Sequence, residues 1–160
     1  MATCFILTPN HESALQRIGV FNPSENDVEL CPLSYRMSQR WELIRVDPEK
    51  EDPSLRESVD RSQAGRKIRM HIRSLLTEQF LSYNREEKKL LQSSYPEEWR
   101  LEYVNEEMEF FAIEHFKLRL YLGRSSSNEL ELSSNRYEWF IPHSKTVIEM
   151  CFRREFRRTI

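Results

Sequence analysis

At 160 residues the chain is expected to form one domain spanning 1–160, with a core of modest size. Hydrophobic residues at 39% lie below the usual share and charged residues at 31% above it, yet 9 Phe, 6 Tyr and 3 Trp exclude disorder of the whole chain. The three glycines, Gly19, Gly65 and Gly123, are too scattered for a GxGxxG or GxxxxGK[ST] loop, which excludes the dinucleotide-binding and P-loop classes and any nucleotide cofactor.

Residues 3–8 read as a short strand ended by Pro9. Asn10 is a good N-cap for a brief helix over 11–18, and Gly19 a stop for it. Residues 22–27 are turn chemistry, after which 28–32 and 41–46 read as strands. The stretch 47–64 is the most polar of the chain and is a candidate linker or insertion. From Arg66 the period becomes helical. Ile68, Ile72, Leu75, Leu76, Phe80 and Tyr83 share one side, and Arg66, Arg69 and Arg73 another.

Ser94-Tyr-Pro-Glu97 fits a capping box with proline in the first turn. Behind it, Trp99, Leu101 and Tyr103 alternate as in a strand. Two helical stripes compete with that alternation, Leu101, Val104, Met108 and Phe111 on one side and Glu98, Glu102, Glu106 and Glu109 on the other; they favour a helix over 97–112. The last 46 residues read as β: a strand at 116–122, a loop at 123–128, then strands at 129–132, 136–141 and 146–152. The expected fold is therefore α+β, with short N-terminal strands, a central helical pair and a C-terminal antiparallel β-meander. No internal repeat is visible.

Chemistry-bearing residues are sparse. Cys4, Cys31 and Cys151 are odd in number and far apart, which predicts a reducing compartment and no disulfide framework. Together with His11, His71, His115 and His143 they lack the short spacings of structural zinc, so no metal is expected. Cys151 and His143 are a candidate nucleophilic pair only if the thiol has a lowered pKa. The N-terminus shows no basic leader, and no apolar run is long enough to span a bilayer.

Charge carries more information. Residues 1–60, 61–93, 94–114 and 115–160 sum to −5, +5, −6 and +4, within a net charge of −2. Such segregation implies charged faces that meet each other, a second copy or a partner. Arg66, Lys67, Arg69 and Arg73, with His71, Arg85, Lys88 and Lys89 nearby, and the tail residues Arg153, Arg154, Arg157 and Arg158, are the candidate nucleic-acid or partner-binding residues. The internal alternative sets the basic face against Glu98, Glu102, Glu106 and Glu109. The expected function is a non-enzymatic interaction or regulatory protein of the cytoplasm or nucleus, self-associating as a homo-oligomer or binding a protein partner. RNA or single-stranded nucleic-acid binding is the alternative, and a small hydrolase with an unrecognised site the third. The short, motif-free profile also fits a virus-encoded accessory protein.

Overall fold

The structure, a computed structural model, describes residues 2–10, 12–17, 27–46, 67–105 and 109–142. Among them every regular element except a 3-10 turn at Met37–Gln39 is a strand. The strands fall into three successive groups of four. The first holds β1 (Ala2–Cys4), β2 (Ser13–Arg17), β3 (Val28–Pro32) and β4 (Trp41–Arg45). The second holds β5 (Lys67–Ser74), β6 (Phe80–Asn84), β7 (Lys89–Ser93) and β8 (Trp99–Asn105). The third holds β9 (Phe110–His115), β10 (Tyr121–Arg124), β11 (Leu130–Ser133) and β12 (Trp139–Phe140).

Within each group the middle strands form an antiparallel hairpin: β2 with β3, β6 with β7, β10 with β11. The outer strands form an antiparallel ring in the order β1, β4, β5, β8, β9, β12. The ring closes where Leu7, just past β1, exchanges both backbone hydrogen bonds with Phe140, each 2.9 Å. Closure removes the open edges that would otherwise recruit other strands. The three hairpins meet one another at one end of the ring, β3 with β7, β7 with β11 and β11 with β3.

The sequence dictates this threefold plan through a few buried positions. Ile6 and Leu15, Ile72 and Leu81, and Ile113 and Leu122 are each nine positions apart, and all six are buried. The fourth strand of every group opens on a buried tryptophan followed two places later by a buried aliphatic: Trp41 and Leu43, Trp99 and Leu101, Trp139 and Ile141. Each indole N–H donates to the backbone carbonyl of the nine-spaced leucine in its own group. The bonds are Trp41 to Leu15 at 3.1 Å, Trp99 to Leu81 at 2.9 Å and Trp139 to Leu122 at 2.9 Å. A tryptophan can be wholly buried only when that N–H finds an acceptor, so each bond locks its hairpin onto the ring.

The expected α+β fold with a central helical pair is overturned by this architecture. The stretch expected as the first helix contains β5 and β6, joined by the turn 75–79. Its basic residues follow strand alternation instead: Lys67, Arg69, His71 and Arg73 share one face of β5, and Ile68 and Ile72 are buried on the other. The stretch 97–112 is likewise no helix; it comprises β8 and the start of β9. The apparent helical stripe from Leu101 to Phe111 joins residues on two strands, and Leu101 faces Ile113 across the pair. The brief helix expected at 11–18 is β2, where the side chain of Asn10 accepts a bond from the Glu12 N–H at 3.1 Å within a turn. The expected strand at 116–122 begins in a turn and enters β10 only at Tyr121. The polar stretch 47–64 and the strand expected at 146–152 lie outside the described residues.

Replacing Trp99 with Phe retains most of the apolar volume and deletes the donor, stranding the buried carbonyl of Leu81. The expected loss of unfolding free energy is about 2 kcal/mol, read from urea denaturation. A variant as stable as the parent would show that the indole bond holds nothing together.

Candidate functional site

A groove forms where the second and third groups meet, opposite the loop that leads into β8. The turn after β9 builds one wall. The His115 N–H donates to Leu120 at 2.8 Å and the Arg119 N–H to His115 at 2.9 Å, with Arg119 at φ 56°. The turn after β5 repeats the pattern: the Ser74 N–H donates to Gln79 at 2.8 Å and the Glu78 N–H to Ser74 at 2.9 Å, with Glu78 at φ 60°. Neither turn uses glycine, so each holds a side-chain-bearing residue in a backbone region that disfavours it. The Phe116 N–H then donates to the Glu98 carbonyl at 3.2 Å, just as Leu75 donates to Arg40 at 3.0 Å between the first and second groups.

The resulting hollow has a volume of about 260 Å³. Tyr95 stands at its rim with 66% of its surface exposed, well beyond Met37 at 45% and Leu76 at 43% among the exposed large apolar side chains of the described residues. Phe116 also lines it, with the guanidinium carbons of Arg69 and Arg100 at 4.2 and 4.5 Å from its ring centre. Cation–π stacking of this sort fixes both arginines against the ring. Arg69 also ion-pairs with Glu98, its Nε donating to Oε2 at 3.2 Å, and Arg100 pairs with the buried Glu114 at 3.2 Å. Lys117 is exposed at the same wall and has no carboxylate within ion-pair distance among the described residues.

Behind the groove, Glu97 fastens the loop. One carboxylate oxygen meets His115 Nε2 and the other accepts the Tyr83 N–H at 2.9 Å. The Leu118 N–H donates to His115 Nδ1 at 3.1 Å, and the imidazole sits edge-on to Trp99 with ring centres 5.0 Å apart. His115 thus ties the third group's turn to the second group's tryptophan. Burial by itself would raise the pKa of Glu97. The His115 hydrogen bond, the Tyr83 N–H, the charge of His115 and the Ser82 hydroxyl outweigh it and leave the carboxyl below its ordinary 4.5. Equivalent loops are fastened differently. Two places before Trp41, the buried Gln39 accepts from the N–H groups of Ser34 and Tyr35 at 2.9 and 3.2 Å and donates to Gln16 at 2.8 Å and to Pro32 at 2.9 Å. Two places before Trp139, Tyr137 packs on the indole at 4.8 Å, in space left by Gly123, where a Cβ would come within 3.1 Å of the tyrosine.

The candidate binding residues read from the sequence are placed as follows. Lys67 approaches Glu114 at 3.6 Å, Arg69 pairs with Glu98 and Arg73 with Glu42 at 2.9 Å. Arg66, Arg153, Arg154, Arg157 and Arg158 lie outside the described residues, as do Cys151, His143 and Glu106. Of the remaining acidic residues, Glu102 is buried in β8 and meets Arg136 at 3.5 Å. Three basic residues of β5 are thus matched by carboxylates of the same chain. The structure brings together Arg69, Glu98 and Lys117 at the groove, and of these only the first two were picked out by pattern. Tyr95 was passed over because its one visible role was as part of a capping pattern.

Among the described residues no group of three His, Cys, Asp or Glu is positioned to hold a metal. Cys4 is fully buried, which pushes its thiol pKa up to about 12, and burial followed by the charge of Glu29 also raises that of Cys31. Neither thiol is activated. A second hollow of about 320 Å³ lies where the three hairpins meet, between Val28, Leu90 and Leu130. Its rim of Asp27, Glu29, Lys88, Lys89 and Glu129 mixes both charges and carries no aromatic ring.

No known protein-family model matches the chain, and no curated protein matches by sequence. Solved structures do match. The chain is similar to SeviL bound to asialo-GM1 saccharide, with a TM-score of 0.60 and 15% identity over 90% of this chain and 98% of that one. It is similar to a ricin B-like lectin of Macrolepiota procera in complex with lactose, with a TM-score of 0.61 and 14% identity over 88% and 94%. It also resembles the BEL β-trefoil, with a TM-score of 0.63 and 8% identity over 89% and 92%.

The fold is a β-trefoil. Three functional expectations are overturned: the self-associating interaction or regulatory protein, RNA or single-stranded nucleic-acid binding, and the viral accessory protein. Two of the structural neighbours are solved with saccharides bound, neither with RNA or a protein partner named, and Lys67, Arg69 and Arg73 of β5 are already matched within the chain.

The lowered pKa of Glu97 fixes the sign of a pH effect. Its contribution to stability is present above its ordinary 4.5 and is lost as pH falls through the lower folded value. Glu97→Gln is therefore expected to be less stable than the parent at neutral pH, with the difference in unfolding free energy shrinking as the solution is made acid. A difference that stays constant or widens in acid would contradict the assignment.

Proposed function

We propose that this chain is a carbohydrate-binding β-trefoil whose saccharide site is the groove between Tyr95 and Lys117. The observation that carries the reading is the exposed Tyr95 ring at a small hollow lined by Glu98, Phe116 and Lys117, on a fold shared by proteins solved with saccharides bound. A sugar ring has one apolar face of C–H bonds and a periphery of hydroxyls. The first packs on the negative face of an aromatic ring and the second needs hydrogen-bonding groups set around it. Tyr95 offers the platform, the free oxygen of Glu98 an acceptor and the Lys117 ammonium a donor.

The fold offers this site once among the described residues. Four places before each tryptophan stand Met37, Tyr95 and Asn135, and four places after each nine-spaced isoleucine stand Asn10, Leu76 and Lys117. The three inter-group junctions are thus bordered by Met37 with Leu76, Tyr95 with Lys117, and Asn135 with Asn10. The first is apolar and the last wholly polar. Only the middle one joins an aromatic face to a charged donor.

Calorimetry against a set of neutral and acidic oligosaccharides, lactose among them, is expected to find one site per chain. Tyr95→Ala should weaken that binding about tenfold, the loss of roughly 1.4 kcal/mol, with the melting temperature unchanged because the ring is exposed. Failure of every saccharide to bind, or full affinity in Tyr95→Ala, would remove the reading.

A further inference from the structure

We infer that the saccharide held in the Tyr95 groove is an acidic one, bearing a carboxylate or a sulfate next to the ring that stacks on the tyrosine. The inference rests on the carbohydrate reading above and concerns what the groove has left to offer a ligand. Both oxygens of Glu97 are taken, one by His115 and one by the Tyr83 N–H. Glu98 gives one oxygen to both the Nε and Nη2 atoms of Arg69. Three of these four carboxylate oxygens therefore carry bonds within the chain, and Glu98 Oε1 is the acceptor left for a sugar hydroxyl. Arg69 is committed too, between Glu98 and the face of Phe116.

What remains to donate is the ammonium of Lys117, exposed, with three donors and no carboxylate within ion-pair distance among the described residues. Its position is not a requirement of the fold, since Asn10 and Leu76 occupy the equivalent places in the other groups. A charge set there serves no partner among the described residues, and it stands on the same hollow as the aromatic platform. An anion carried by the bound sugar would neutralise it. The guanidinium groups of Arg69 and Arg100, stacked on Phe116 at 4.2 and 4.5 Å, are neutralised by Glu98 and Glu114 and leave Lys117 as the cation that faces a ligand in this hollow.

The test uses matched sugars that differ by one anionic group: lactose against 3′-sialyllactose for a carboxylate, and N-acetylglucosamine against its 6-sulfate for a sulfate. Affinities are measured by calorimetry at low and at high salt for the full chain and for Lys117→Gln. At low salt at least one acidic member is expected to bind up to about fivefold more tightly than its neutral partner, the scale of an exposed ion pair. That preference should vanish at high salt and in Lys117→Gln. The pair that shows the preference identifies the anion. Equal affinities within both pairs, or a preference that survives Lys117→Gln, would overturn the inference while leaving the saccharide reading intact. If no member of either pair binds the parent protein while another neutral glycan does, the acidic assignment also fails. Absence of binding to any saccharide removes both.

Discussion

The fold depends on three indole hydrogen bonds. Trp41, Trp99 and Trp139 each sit at the base of a group of four strands and each give one N–H to the carbonyl of a buried leucine on the adjoining hairpin. A large apolar ring brings its packing energy only if it can be wholly buried, and it can be buried only if its one donor is satisfied. That paired demand fixes where each hairpin docks. Once three hairpins are docked in the same way, the ring of outer strands closes on itself between Leu7 and Phe140. No helix is needed to cover the core, because the hairpins themselves close one end of the ring.

The segregated charge of the chain is resolved within this frame. The basic stretch 61–93 and the acidic stretch 94–114 become neighbouring strands, with β5 beside β8 and β8 beside β9. Lys67 meets Glu114 and Arg69 meets Glu98 across those pairings, and Arg73 turns the other way to Glu42 on β4. Partly exposed pairs of this kind contribute only about 0–1 kcal/mol each, so they set register and orientation more than they hold the molecule together. Their consequence for function is selective. With Lys67, Arg69 and Arg73 of β5 matched internally, the cation beside an exposed aromatic ring that has no carboxylate partner among the described residues is Lys117. Repetition of the scaffold with divergence of its rim residues gives three similar junctions with three different chemistries.

Parts of this were legible in the sequence. The strands at 28–32 and 41–46 followed from alternation and flanking turn residues, and so did β11 and β12 of the third group. The segment 67–83 misled for a physical reason. Ile68 and Ile72 are four apart, which satisfies a strand's period of two as well as a helix's 3.6, and Leu75 and Leu76 extended the helical match into what is a turn. Glycine or proline would have flagged that turn. Glu78 and Arg119 adopt the left-handed backbone region in their place and leave no mark in the sequence. The threefold repeat was hidden by unequal loops. Leucine and tryptophan partners are 26, 18 and 17 positions apart, so no fixed period links them. The paired spacings Ile6–Leu15, Ile72–Leu81 and Ile113–Leu122, together with Trp-x-Leu/Ile at each fourth strand, were the available signal. The groove itself was not legible, since Tyr95 and Lys117 come from different groups and become neighbours only through the Phe116–Glu98 backbone bond.

The central claim is that a saccharide docks at the junction of the second and third groups, and backbone amide chemical shifts during titration test it most directly. On adding 3′-sialyllactose, the account predicts saturable shifts concentrated at Tyr95, Glu98, Phe116 and Lys117, with Met37, Leu76, Asn10 and Asn135 at the other two junctions undisturbed. Shifts centred instead on Asp27, Lys88 and Asn128, where the three hairpins meet, or spread evenly over all three junctions, would contradict it.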